Sequence, residues 1–346
     1  MPLLILNIII LLIYASLINL STSFNKITLR FLFLNIAFVH LLFLHIFFDA
    51  ASFPDLDNYY DYFKKIDHAE IEIGWNILNK TLYYISDSNF ILLFTVSFAM
   101  LLFYIITVSR YSEIPWLSIF IFLCTIFYNS LFILRQNLAM AICLMSIPYI
   151  IERNKIKFFA ITLIAFSFHY SALVWFASYF IYSFKLDKRF YFIIMSLSIL
   201  LYLFMEMVLE SFIMLTTKIM MYTAPKESGG LGLIKGIAIE VFVLIISIYS
   251  FGGLNRIKGY NKLFFAIISI SVALYLISYF GTAFTLFGRL NLYFSMASIF
   301  LLPNALFNLK NKKNKNILFT SLIFVIFVIY LALLNATAQY GYKLNF

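Results

Sequence analysis

An all-α fold that crosses a membrane many times is what this sequence predicts, on three observations. Apolar runs of about 18 residues or more recur along the chain, each long enough to span a bilayer as a helix. Only 12% of the 346 residues are charged, while 64% are hydrophobic; an ordinary soluble domain carries about a quarter charged residues. The runs are continuous rather than alternating, which excludes a membrane β-barrel. The 42 Phe and 24 Tyr suit lipid-facing and interfacial positions.

In order, the spans fall near residues 2–20, 28–48, 89–109, 115–134, 136–151, 190–209, 234–251, 262–283, 289–309 and 317–335, about ten transmembrane helices of an integral membrane protein. The opening segment, MPLLILNIIILLIYASLINL, has no positively charged start and no small-x-small cleavage site. It reads as a retained first span and not as a signal peptide. Cys124 and Cys143 both lie in spans, so neither a disulfide framework nor a metal site is implied.

Basic loops orient the helices. Lys26 and Arg30, the loops at 152–157, 185–189 and 255–262, and above all KNKKNK at 310–315 face the cytoplasm. The net charge of +10 belongs to these short loops, and a nucleic-acid partner is rejected. Counting crossings back from 310–315 leaves 157–183 beginning and ending on one side. A re-entrant helical hairpin with its tip near SFHYS (167–171) satisfies the count. The rival is one ordinary crossing, with 115–151 acting as a single long bent segment. Either way residues 1–346 form a single membrane domain.

Two segments stand outside the spans. Residues 49–88 carry Asp49, Asp55, Asp57, Asp61, Asp67, Glu70, Glu72 and Asp87, more than half of the chain's 15 acids. Orientation places this loop outside the cytoplasm. Its aromatic residues and the positions of Ile71, Ile73, Ile77 and Leu78 predict short amphipathic helices lying on the membrane. A second outer loop, 210–233, includes KESGGLGLIKG; the spacing of a phosphate-binding P-loop is absent.

The polar residues within apolar runs carry the chemistry. Arg135, in FILRQNLAMAI (132–142), sits near the outer end of its helix beside Gln136. A guanidinium cannot readily lose its proton, so burial demands an anion or carbonyls. No acid lies within a helical turn of it, so its partner comes from elsewhere, and a ligand phosphate suits its bidentate fork. Snorkelling to the outer headgroups is the alternative. Arg289 also falls at the outer end of a span, where it is either an interfacial anchor or a second anion ligand. His169, with Ser171 on the same turn, is either a satisfied hydrogen-bonding group or a proton acceptor that orients a hydroxyl. In PDLDNYYDYF (54–63), carboxylates and ring faces together suit sugars. A solvated acidic loop is the plain reading there, and one Asp-x-Asp pair is weak as a metal site.

Four stretches in this order carry a family resemblance: DLDNYYDYF (55–63) followed by EIGWNILNK (72–80); FILRQNLAMAI; FFAITLIAFSFHYSALVWF (158–176); and GRLNLYF (288–294) with the following LLP (301–303). Together they make the chain resemble the EpsG family of bacterial polysaccharide polymerases, related in role to the Wzy O-antigen polymerases. The resemblance covers about residues 30 to 310. The Arg-Gln-x-x-Ala and His-x-Ser-Ala elements are its most specific parts.

The resemblance implies a multi-pass protein of the bacterial inner membrane, similar in fold to membrane glycosyltransferases with lipid-linked donors (GT-C-like). It implies polymerisation of undecaprenyl-diphosphate-linked oligosaccharide repeat units into O-antigen, capsule or exopolysaccharide at the outer face. Carried over, Arg135 and Arg289 would hold the donor diphosphate and His169 would activate the acceptor hydroxyl. Gln136 and Ser171 would bind substrate, as would Asp55, Asp57 and Tyr60, which would lie near the sugars. No cofactor and no metal is expected where arginines neutralise the diphosphate. The implied partners are the lipid-linked oligosaccharide, the bilayer and a chain-length regulator protein. Two rivals share the donor, a lipid-linked glycan ligase and a flippase or exporter. A transporter would show internal repeats and midplane charges; here charges cluster toward one face.

Overall fold

A computed structural model describes residues 26–47, 54–64, 72–204, 230–280 and 284–309. The expected spans at 2–20 and 317–335, the basic loop 310–315 and residues 210–229 of the second outer loop lie outside the described residues. Among the described residues every element is helical, and the chain divides into two compact units.

The first unit holds α1 (Lys26–Ile46), α2 (Pro54–Lys64), α3 (Ile73–Ile85), α4 (Asn89–Tyr111), α5 (Pro115–Phe122), α6 (Tyr128–Phe132) and α7 (Leu134–Leu144). Helix α4 is apolar all round, as a helix between a core and lipid must be. Ser88 caps it, accepting from the Phe90 amide at 3.3 Å. Leu92, Val96, Met100 and Tyr104, four apart, are buried. Phe90, Phe94 and Phe98, also four apart, are exposed and stack on one another. The buried side packs on α1 and α7.

Between α5 and α6 the chain widens into a π-helical turn, Leu123–Phe127. Between α6 and α7 it breaks at Ile133, whose φ −109 and ψ 61 are not helical. The expected span at 115–134 is a continuous helical run over 115–132 with the π-helical turn inside it. The one at 136–151 is α7 followed by the short α8 (Ile147–Ile151). At about 1.5 Å per residue, neither α7 nor α8 alone crosses a bilayer core of about 30 Å.

The second unit begins at α8 and takes in the start of α9 (Lys155–Phe168), α10 (Phe176–Ile181), α11 (Lys188–Leu203), α12 (Gly230–Phe251), α13 (Gly259–Phe280), α14 (Phe284–Ser295) and α15 (Ser298–Asn308). Helix α13 packs on α12 and α14, and α12 packs on α15. Helix α9, about 21 Å long at 14 residues, is too short to cross. It stops at Phe168, and a 3-10 segment, Tyr170–Trp175, leads into α10. The chain then returns beside its own starting point. Arg153 Nη1 donates to the Tyr179 carbonyl at 2.7 Å, the Tyr179 hydroxyl donates to the Arg153 carbonyl at 3.0 Å, and Phe158 stacks on Tyr179. The reversal lies at the SFHYS stretch where the sequence places a hairpin tip.

Four stretches among the described residues are long and apolar enough to cross a membrane: Thr28–Ile46, Asn89–Tyr111, Gly259–Leu276 and Phe287–Asn308. They coincide with four of the expected spans. In the acidic loop the two expected short helices are α2 and α3. Helix α3 buries Trp75 and Leu82 while exposing Ile73, Ile77 and Tyr84.

Candidate functional site

A guanidinium in an apolar run needs a counter-charge, and in the fold Glu72 supplies it. Arg135 Nη1 donates to Glu72 Oε2 at 2.5 Å. The other carboxylate oxygen, Oε1, lies 2.9 Å from His169 Nδ1. One carboxylate thus joins an arginine and a histidine that are far apart in sequence, all three within the first unit. The Glu72 side chain is 6% exposed, His169 17% and Arg135 26%. The carboxylate is the deepest of the three, and Arg135 and His169 are more exposed.

Local structure explains each position. Glu72 is the N-cap residue of α3, with φ −53 and ψ 133, yet its side chain makes no capping hydrogen bond. It turns instead to Arg135 and His169, while its charge still complements the positive end of the helix dipole. Gly74, in the first turn of α3, lets that helix end lie against Ser167. A Cβ there would stand 2.8 Å from the Ser167 carbonyl oxygen. Only glycine permits this approach, and Ser167 is two residues from His169. The break at Ile133 starts α7 anew, so Arg135 lies in a first turn, where backbone amides and the dipole favour anions. Tyr59 of α2 completes the wall. The Arg135 guanidinium carbon is 5.7 Å from the Tyr59 ring centroid, and Tyr59 meets Trp75 edge-on.

A carboxylate only accepts, so His169 Nδ1 carries the proton. In the neutral ring Nε2 is then the acceptor. Burial alone opposes ionisation of the Glu72 carboxyl, but the His169 hydrogen bond and the Arg135 charge outweigh it. They hold the group below the ordinary glutamate range. The arrangement provides a base nitrogen oriented by a buried carboxylate, beside a guanidinium with further donors.

The family model that matches the chain, over residues 32–344, is that of the EpsG family. The chain belongs to the EpsG family. That is a family of Wzy-like polysaccharide polymerases, so this is a membrane protein of polysaccharide-polymerase type. Among curated proteins and solved structures, none matches it.

In this EpsG-family chain, the predicted site residues Arg135 and His169 meet through Glu72. Gln136 is buried beside Arg135, and Ser171 lies in the 3-10 segment after His169. Asp57 and Tyr60 are on α2 with Tyr59. Asp57 is exposed, while burial and the Asp57 charge push the Tyr60 phenol up to about 12. Asp55 is also on α2, but its side chain lies outside the described residues. Arg289 is on α14 in the second unit, partly buried.

Glu72 is the residue that reading the sequence for local partners misses. Arg135 has no acid within a turn, so the sequence points to a ligand phosphate; the fold provides Glu72, 63 positions earlier. No local signal along the chain separates it from the other acids of residues 49–88.

Proposed function

We propose that this protein polymerises lipid-diphosphate-linked oligosaccharide repeat units at the outer face of the bacterial inner membrane, with undecaprenyl as the lipid. The observation that carries the reading is the Glu72 carboxylate held between Arg135 and His169. Polymerisation joins an acceptor hydroxyl to the anomeric carbon of a donor sugar and releases a diphosphate. It therefore needs a base for one proton and a cation for the leaving charge.

His169 Nε2 takes the acceptor hydroxyl proton as the hydroxyl oxygen bonds to the anomeric carbon. The bond from that carbon to the diphosphate oxygen breaks, and its electron pair leaves with the diphosphate. Glu72 stabilises the imidazolium that forms and holds the ring in one tautomer. Arg135 turns its remaining donors to the phosphate oxygens while Glu72 fixes its other edge. Asp55, Asp57 and Tyr60 contribute to sugar binding, with Gln136 and Ser171 supporting Arg135 and His169. In this reading His169 stands at the tip of a re-entrant hairpin reached from outside.

The test is the surface glycan of cells lacking the gene, complemented with wild type, Glu72→Gln, Arg135→Ala or His169→Ala at matched protein levels. A single capped repeat unit in place of a ladder, restored to a ladder by wild type alone, is the expected result. Long polymer that stays on its lipid carrier would make the protein a ligase. Single units that never reach the outer face would make it a transporter.

A further inference from the structure

The second unit holds an acid that the proposed reaction does not use. Glu240 of α12 is 3% exposed, and Ser271 of α13 and Asn291 of α14 are fully buried around it. The Ser271 hydroxyl oxygen lies 2.6 Å from Glu240 Oε1 and 2.6 Å from Asn291 Oδ1. The Tyr275 phenol lies close to Asn291. Among the described residues, Glu240 Oε2 and Asn291 Nδ2 have no hydrogen-bond partner.

Two hydrogen bonds among three oxygens need two hydrogens. Ser271 supplies one. An amide oxygen has none to give, and neither has an ionised carboxylate. We propose that Glu240 is a proton-binding site: a neutral carboxylic acid that donates through Oε1 to Ser271, which donates to Asn291, so that one bound proton ties α12, α13 and α14 together.

Turning the Asn291 amide over is the competing arrangement. Its Nδ2 would then donate to Ser271 and Ser271 to an ionised Glu240. That leaves a full charge in an apolar interior with one oxygen bare, which costs far more than the bare carbonyl oxygen of a neutral acid. Among the described residues no ion pair involves Glu240. The titratable or charged groups on the elements packed around it are Tyr260, Lys262, Tyr275 and Tyr279 of α13, Arg289 and Tyr293 of α14, and Arg256 of the turn after α12, with Lys235 and Tyr249 on α12 itself. Of these, Tyr275 is the one within electrostatic reach, and α15 carries none. Intramembrane acids are rare and mark proton or ion sites. The inference stands on this cluster and not on the polymerase reading.

The experiment is infrared absorption in the carboxylic-acid carbonyl region, on the full chain in lipid nanodiscs at neutral pH. Wild type should show a hydrogen-bonded carboxylic-acid band that is lost in Glu240→Gln, a neutral isostere that can still donate to Ser271. Ser271→Ala keeps the acid and removes its acceptor, so the band should shift without disappearing. A spectrum unchanged by both substitutions means that Glu240 is ionised and overturns the proposal. So does a wild-type band that is present in choline chloride and lost in sodium chloride, since the site would then hold a sodium ion.

Discussion

Gly74→Ala tests whether the approach of α3 to the His169 turn builds the site. The added methyl would meet the Ser167 hydroxyl first, and would stand 2.8 Å from the Ser167 carbonyl oxygen and 3.0 Å from its carbon. Reaching ordinary contact moves the two backbones apart by about 0.6 Å. Glu72 lies two residues before Gly74 and His169 two after Ser167, so the 2.9 Å hydrogen bond between them stretches toward the limit of such bonds, about 3.5 Å. Overpacking of this kind costs about 1–3 kcal/mol, and the better helix propensity of alanine returns at most about 1 kcal/mol. The expected loss of stability is therefore about 1–2 kcal/mol, seen as a small drop in Tm. If the pair is catalytic as proposed, misplacing it by a fraction of an ångström should cost more in rate, about ten- to a hundredfold. The assay is polymer formed by reconstituted protein from a lipid-linked repeat unit, beside a thermal melt. Adding Ser167→Ala removes the hydroxyl but not the backbone carbonyl, so the double variant should stay impaired. Wild-type rate and Tm in Gly74→Ala would refute the reasoning, and rescue by Ser167→Ala would place the conflict at the hydroxyl.

Other outcomes follow from the same geometry. Arg135→Lys keeps a charge but loses the planar fork shared between Glu72 and a phosphate, so polymer yield should fall about tenfold or more at unchanged protein level. Glu72→Gln frees the His169 tautomer and leaves the Arg135 charge uncompensated; turnover should fall about 10²- to 10⁴-fold in the reconstituted assay. The same pair predicts an acid transition. The folded Glu72 carboxyl has a lower pKa than in the unfolded chain, where it is about 4.3. Its contribution is complete above that value and is lost as pH falls through the folded value. Melts from pH 6 downward, to about pH 3, should show an acid limb that is shallower in Glu72→Gln. His45, 1% exposed, is held between Ser97 Oγ at 2.8 Å and Ser130 Oγ at 3.1 Å. His45→Ala should cost about 2–4 kcal/mol of stability through the cavity it leaves, read by thermal or denaturant unfolding.

Much of the site was legible in the chain. Arg135 and His169 are polar groups in apolar surroundings, and the cost of burying them marks such residues whatever the fold. The amphipathic helices of the acidic loop show in the alternation of aromatic and polar residues around Trp75. The partner was not legible. Glu72 is one of eight acids in residues 49–88, and nothing local distinguishes it from Glu70 or Asp67. Gly74 looked like any glycine until Ser167 stood against it.

The sequence alone determined that this chain is helical and membrane-embedded and, through its ordered motifs, which family it belongs to. Those properties come from local quantities: the length of apolar runs, the sign of loop charges, the residues inside a motif. The tertiary structure decided which acid meets Arg135, where α9 stops and the chain turns back, and that Glu240, Ser271 and Asn291 share one buried cluster. Each of these depends on residues tens of positions apart whose helices have packed. Charge pairing at hydrogen-bond distance follows from that packing and cannot be read from spacing along the chain.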